Sequence, residues 1–287
     1  MKNKSIGSKI LYFPLTKILV GIVLVSSTYG IAKNLKGGIA RLSFLSKDWN
    51  NLIVTIISTA LAVIVYIYLY KFYEKRNITE FSKNSLVKNL ILGVMLGTLL
   101  QALTILVIYL KGGYTILSIN PIMYIIPSLA MAFASAIFEE ILFRGIIFRI
   151  TEEKLGSYIS LIISAIIFGA LHFTNPNSSL SASIGLAIQA GLLLGAAYIY
   201  SRNLWFPIAI HFAWNFTQSA IFGANVSGNT ISKTLISSRI EGENWFTGGQ
   251  FGPEGSIQAT VFCLMATIIL MILSHKKGRI IKPYWKK

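Results

Sequence analysis

Phe138-Glu139-Glu140-Ile141-Leu142-Phe143-Arg144 lies inside an apolar run that extends from Pro121 to Ile150. At the centre of a lipid-exposed helix each of these charges costs roughly 2.5–3.5 kcal/mol. A chain that keeps two carboxylates and a guanidinium there pairs them inside a helical bundle, uses them chemically, or both.

Of the 287 residues, 54% are hydrophobic and 13% are charged. Soluble domains carry about 25% charged residues, so the composition describes an integral membrane protein. The net charge of +16 would suggest a nucleic-acid partner in a soluble chain. In a chain this apolar it points to basic loops against anionic lipid, with membrane lipids and not nucleic acid as the partner. Cys263 is the single cysteine, which excludes an internal disulfide and a cysteine-based metal site. Lys2, Lys4 and Lys9 before an apolar run imitate a signal peptide. No small-residue cleavage site follows, and a retained first span is expected.

With about 20 apolar residues needed per crossing, eight segments stand out, near 10–32, 51–70, 89–110, 122–148, 157–173, 180–200, 204–221 and 257–273. No period-two alternation is sustained, and helices satisfy their own backbone in lipid. The expected fold is all-α, one polytopic bundle of about eight transmembrane helices over residues 1–287, with its functional core in 120–220. With both termini inside, 17 of the 26 Lys and Arg residues fall on the inner side and 7 on the outer. That bias favours a cytoplasmic N-terminus and C-terminus in the cell membrane. The inner loop 71–88 reads as a solvated connector. The long outer loop 222–256, rich in glycine and aromatics towards its end, reads as a packed cap.

Among ten acidic residues only Glu139 and Glu140 fall within spans, and among three histidines only His172 and His211. Intramembrane ionisable groups are functional candidates. Glu140 and Arg144 are i,i+4 and share a helix face as an ion pair. Glu139 is turned about 100° away, which leaves one carboxylate free to face a cavity. Phe168 and His172, and His211 and Asn215, repeat the i,i+4 spacing. A carboxylate, two imidazoles and a carboxamide brought together suit water activation and oxyanion stabilisation. A salt bridge that locks the bundle, a hydrogen-bonded core histidine and a helix-bridging asparagine are the structural alternatives.

Helix rise gives a depth test. Glu140 lies about 15 Å from Ile150, His211 about 12 Å and Asn215 about 18 Å from Asn203, and these agree. His172 lies about 22 Å from Ser157, a turn or two too deep unless its helix is tilted or enters the membrane late. A divalent metal such as zinc is a further option, with Glu139, His172 and His211 as candidate ligands. The two-histidine H-E-x-x-H signature is absent.

Glu139-Glu140-x-x-x-Arg144, Phe168-x-x-x-His172 and His211-x-x-x-Asn215 together resemble the three motifs of the CPBP superfamily, which includes the type II CAAX prenyl endopeptidases and bacteriocin-processing and immunity proteins. The resemblance covers roughly 120–220. It implies an all-helical, eight-span core and intramembrane endopeptidase chemistry. Glu139 would match the catalytic glutamate, acting with His172 on the attacking water. His211 and Asn215 would match the oxyanion pair, with Glu140 and Arg144 in support. Both a metal-dependent and a metal-free mechanism are compatible with it. The expected substrate is a membrane-associated peptide or a prenylated or lipidated protein, cleaved at or within the inner leaflet. The competing expectations are a non-enzymatic bacteriocin self-immunity or scaffold protein, and a transporter with Glu139 or His172 as proton relay.

Overall fold

The computed structural model describes residues 6–42 and 44–286. Lys2, Lys4 and Lys287, counted above on the inner side, lie outside the described residues. In chain order the helices are α1 (Ile6–Leu11), α2 (Pro14–Leu42), α3 (Lys47–Tyr73), α4 (Leu86–Leu110), α5 (Ile125–Glu140), α6 (Arg149–His172), α7 (Leu180–Leu186), α8 (Leu193–Ser201), α9 (Trp205–Phe216), α10 (Asn244–Thr247) and α11 (Ile257–Lys276). Strands β1 (Tyr114–Ile119) and β2 (Ile236–Ile240) form one antiparallel pair.

Among the described residues, six helices are long and apolar enough to cross a membrane, so the chain is a multi-pass, all-α membrane protein. One of the six runs over 51 residues, Ile122–His172. At about 1.5 Å per residue it would extend over twice the hydrocarbon thickness. The bend that makes it two passes falls at Gly156, with φ 74° and ψ 170°. A Cβ there would sit 2.7 Å from the Pro283 nitrogen and 2.8 Å from the Ile281 carbonyl oxygen. Only glycine suits both that φ and that approach. The seventh expected segment is α9, continued by a π-helix at Thr217–Ile221.

Small residues set the tightest helix contacts, as expected where lipid gives no hydrophobic drive between helices. α4 packs along α9. A Cβ at Gly93 would lie 2.6 Å from the Ala209 Cβ, and one at Gly97 would lie 2.3 Å from the Ile210 carbonyl oxygen. On the other side of α5, the α2–α3 pair contributes Val25, Ala62, Tyr66 and Tyr70 to a cluster with Ile141, Ile146 and Ile150. The Tyr66 hydroxyl donates to the Gly145 carbonyl at 3.1 Å.

The inner loop 71–88 is more than a solvated connector. Glu80 is buried, and its carboxylate takes Arg76 at 2.7 Å. Arg149, at the head of α6, reaches Glu74 and Glu153 at 2.9 Å each. Lys17, the one lysine within the first span, is neutralised by Glu74 at 3.0 Å. Burial alone would raise the Glu74 carboxyl. Arg149 beside it, with hydrogen bonds from Arg76 and Lys17, holds it below the usual carboxylate range. Two more pairs tie distant segments, Glu152 with Arg202 at 2.6 Å and Asp48 with Lys233 at 2.5 Å.

The outer loop 222–256 is packed. Asn175 and Asn177, just after α6, donate to the carbonyls of Ser227 and Gly228 at 3.0 and 3.2 Å. β2 pairs with the segment after α4, in the register Tyr114↔Ile240 to Ile119↔Ile236. This small sheet is absent from the sequence expectation, because one strand of six and one of five residues leave too little alternation to detect.

Two outcomes follow. Arg149→Met removes one of the three cations on Glu74, leaving Lys17 and Arg76 in place, and should cost about 1.5–3 kcal/mol, as for a hydrogen bond to a charged group, read as a lowered unfolding midpoint in detergent. The wild-type contribution of Glu74 is present above the ordinary carboxylate range and fades as pH falls through its lowered value. Gly97→Ala should lower the same midpoint, by about 1–3 kcal/mol for overpacking, because the obstructing atom is backbone.

Candidate active site

The four residues singled out for chemistry meet at one cavity. α5 brings Glu139, the end of α6 brings His172, and α9 brings His211 and Asn215, and all four line a space of about 190 Å³. The Glu139 Oε2 lies 3.8 Å from the His172 Nε2 and 4.0 Å from the His211 Nε2. The depth conflict counted for His172 is thus resolved by where its helix lies. The count from Ser157 already starts beyond the Gly156 bend, and the 3.8 Å approach to Glu139 shows that this span does not share the inner starting plane assumed for α5 and α9.

Each imidazole is oriented by its other nitrogen. His172 Nδ1 lies 2.8 Å from the Phe168 carbonyl oxygen. A carbonyl only accepts, so Nδ1 carries the hydrogen and Nε2 turns its lone pair towards Glu139. The Phe168 ring stacks on the imidazole with centroids 4.4 Å apart, which explains the i,i+4 aromatic. His211 Nδ1 lies 3.0 Å from Glu140 Oε1 and donates to it by the same logic. Asn215 Nδ2 donates to the Ser135 hydroxyl at 2.9 Å, which fixes the amide and leaves its second N–H.

Beneath them lies a buried ion pair. Arg144 Nη1 meets Glu140 Oε1 at 2.9 Å, and both side chains are 0% exposed. The same guanidinium donates from Nη2 to the carbonyls of Ala190 and Gly191 at 2.6 and 3.2 Å. Its carbon sits 5.0 Å from the Phe168 ring centre. The predicted division holds in geometry: Glu140 is locked between Arg144 and His211, while Glu139 faces the cavity with its Oε2 unpaired.

π-helical turns interrupt three of the helices involved, at Ile141–Phe148, Ala187–Leu192 and Thr217–Ile221. Such turns recur at functional sites because they release carbonyls from the helical ladder and redirect side chains. Here the second supplies the Ala190 and Gly191 carbonyls that Arg144 uses.

The metal expectation does not fit this arrangement. Among the described residues, no group of three or more His, Cys, Asp or Glu is placed to hold an ion. Zinc bonds of 2.0–2.2 Å would draw tetrahedral donors to roughly 3.4 Å apart, closer than either Glu139–imidazole separation. His211 also commits one nitrogen to Glu140. The chemistry is therefore derived from the side chains alone.

Among the cavity residues that sequence reasoning missed are Ser135, Gln189, Trp214 and Glu254. Ser135 was legible, one turn before Glu139 on the same face. Gln189 is a lone amide in an apolar span. Glu254 carries no local signal, since only the folding of the outer loop brings it to the cavity.

Comparison with known proteins follows the same segment. Residues 121–217 match the type II CAAX prenyl endopeptidase Rce1-like family. The protein named "Putative membrane peptidase YdiL" of Bacillus subtilis (strain 168) is 32% identical over 97 residues, 33% of this chain and 35% of that protein. The chain thus matches about a third of that relative's length. No solved structure matches. The three motifs, the buried Glu140–Arg144 pair and the match to the type II CAAX prenyl endopeptidase Rce1-like family coincide on one stretch of this membrane protein, residues 121–217.

Proposed function

We propose that this protein is a membrane-embedded endopeptidase that hydrolyses a peptide bond with water activated by Glu139 and His172. One observation carries the reading. An unpaired carboxylate oxygen faces a cavity with two oriented imidazole nitrogens at 3.8 and 4.0 Å. A point about 2.8 Å from both Glu139 Oε2 and His172 Nε2 exists at that separation, which is hydrogen-bond reach for a shared water.

In the mechanism, Glu139 takes a proton from that water as the oxygen attacks the scissile carbonyl carbon. His172, with Nδ1–H fixed on the Phe168 carbonyl, orients the water through Nε2. The developing oxyanion is received by the second N–H of Asn215 and by the Nε2–H of His211 in its doubly protonated form. Preorganised donors of this kind contribute several kcal/mol in a dry site. Collapse of the tetrahedral intermediate breaks the C–N bond, and the proton held by Glu139 passes to the leaving amine. Glu140 and Arg144 touch no substrate in this scheme. They hold His211 and bridge α5 to the π-turn at Ala187–Leu192.

The substrate class is a membrane-associated peptide or a lipid-modified protein. Asn175, Ser227, Asn229 and Ile231, all on the side of the long loop, line the cavity. With that loop outside, as the charge bias has it, this supports presentation of the scissile bond from the outer half.

The test is cleavage of membrane-anchored peptides in proteoliposomes, read by mass spectrometry. Glu139→Gln and His172→Ala should each lose at least a hundredfold in kcat with an unchanged unfolding midpoint; full activity in either overturns the assignment. Asn215→Ala should lose about 10²–10³ in kcat with little change in KM, as for an oxyanion donor. Arg144→Met should instead lower the unfolding midpoint, since it strands the buried Glu140. Dialysis against a chelator should leave turnover intact.

A further inference from the structure

The cavity has a second polar end that the hydrolytic chemistry leaves unused. Glu254 sits in a short 3-10 turn, Pro253–Gly255, just before α11. It is 1% exposed and lines the same cavity as Glu139. The Ser227 backbone N–H donates to its Oε1, which ties two parts of the outer loop together. Gln189, on the π-turn of the span Leu180–Ser201, donates from Nε2 to the Glu254 carbonyl and to the Thr260 hydroxyl, both at 2.7 Å. Those bonds fix the amide plane. The Gln189 Oε1 is then left buried without a partner in a side chain only 3% exposed.

One acceptor, the Gln189 Oε1, is thus left open on the cavity wall that Glu254 shares. A carboxyl group and a fixed amide oxygen border the cavity, and among the described residues no Lys or Arg lines it. The charge of Arg144 is taken by Glu140 and is not available. Burial pushes the Glu254 carboxyl above its ordinary range, against hydrogen bonds from Ser227, Gln218 and Trp214. A buried carboxylate without a counter-charge and a buried amide oxygen without a donor are both costly, and a cation seated beside them offsets that cost. The rest of the wall is apolar, with Leu193, Leu194, Ile210 and Cys263, a surface that suits the methylene stem of a lysine whose charged head lies at the polar end. Glu254, Thr260 and Cys263 all fall outside the segment 121–217 that matches the family.

We propose that Glu254 and the Gln189 Oε1 form a specificity subsite for a cationic nitrogen of the substrate, either a lysine side chain or a free amino terminus near the scissile bond. This assignment rests on the endopeptidase reading, and its test separates the two. The full-length protein in nanodiscs of zwitterionic lipid is titrated with three amphiphiles: dodecanoyl-lysinamide, dodecanoyl-norleucinamide and the dodecylamide of norleucine, which has a free α-amine. At least one amine probe should bind ten times more tightly than the neutral isostere, and which one does so identifies the source of the nitrogen. Glu254→Gln should shrink the ratio below about threefold, while Glu254→Asp should retain most of it. Equal binding of all three probes by the wild-type protein overturns the proposal whatever the variants do. A ratio unchanged in Glu254→Gln overturns it as well. In the cleavage assay, wild-type protein that cuts lysine and norleucine peptides with equal kcat/KM removes the subsite and leaves the endopeptidase standing. Retained amine preference without any cleavage supports the subsite and removes the endopeptidase.

Discussion

The Glu140–Arg144 pair is the interaction on which the arrangement depends. An isolated charge in this interior would be prohibitive, and two opposite charges are tolerable only with their remaining hydrogen-bonding capacity largely met. The protein meets most of it by drawing in its neighbours, leaving Glu140 Oε2 and Arg144 Nε without partners. Glu140 Oε1 takes the His211 Nδ1 from α9, and Arg144 takes two carbonyls from the Ala187–Leu192 π-turn. One ion pair thereby fixes three separate spans. The geometry of the cavity is a by-product of satisfying that pair. Glu139, one residue before Glu140, is forced by helical periodicity to point elsewhere, and elsewhere is the cavity.

Helix interruptions complete the arrangement. A regular helix consumes its own carbonyls and has none to lend a buried guanidinium. The π-turn releases them at the depth where Arg144 arrives. The turn after Glu140 and the turn after Asn215 begin where the functional side chains end. α4 contributes nothing to the chemistry, yet Gly93 and Gly97 let it lie against the α9 backbone. The placement of His211 and Asn215 is thus set partly by residues with no functional group at all.

Much of this was legible in the sequence, and the legible part has a common cause. Charges in an apolar run are conspicuous because lipid penalises them, and i,i+4 spacing reports a shared face without any tertiary knowledge. Glu139, Glu140, Arg144, His172, His211 and Asn215 all announced themselves in that way. What stayed hidden depends on long-range closure. Glu254 is 115 residues from Glu139 in a loop with no periodicity, and long-range bonds such as those from Asn175, Asn177 and Gln189 bring its loop to the cavity. The depth of His172 was miscounted because a sequence does not say at what level each span starts, and only the 3.8 Å approach to Glu139 shows that 157–173 does not start level with its neighbours. The charged inner loop was misread for a similar reason: Glu74 and Glu80 look solvated in sequence, and only packing against Arg149 reveals them as interior.

The use of carboxylates throughout the fold has a consequence for the surroundings of the protein. Apart from Glu139, whose Oε2 has no hydrogen-bond partner, the acidic residues have partners inside the chain, from Asp48 on Lys233 and Glu152 on Arg202 to Glu241 on Arg239 and Glu243 on the Trp245 indole N–H. The excess of sixteen positive charges therefore has no internal counter-ion. It must be neutralised from without, by acidic lipid headgroups or by dissolved anions held within about a Debye length, roughly 8 Å at physiological salt. Ionic strength and lipid composition will govern how this protein sits, spreads and crowds in a bilayer, while the sealed pairs around Arg144 remain indifferent to both.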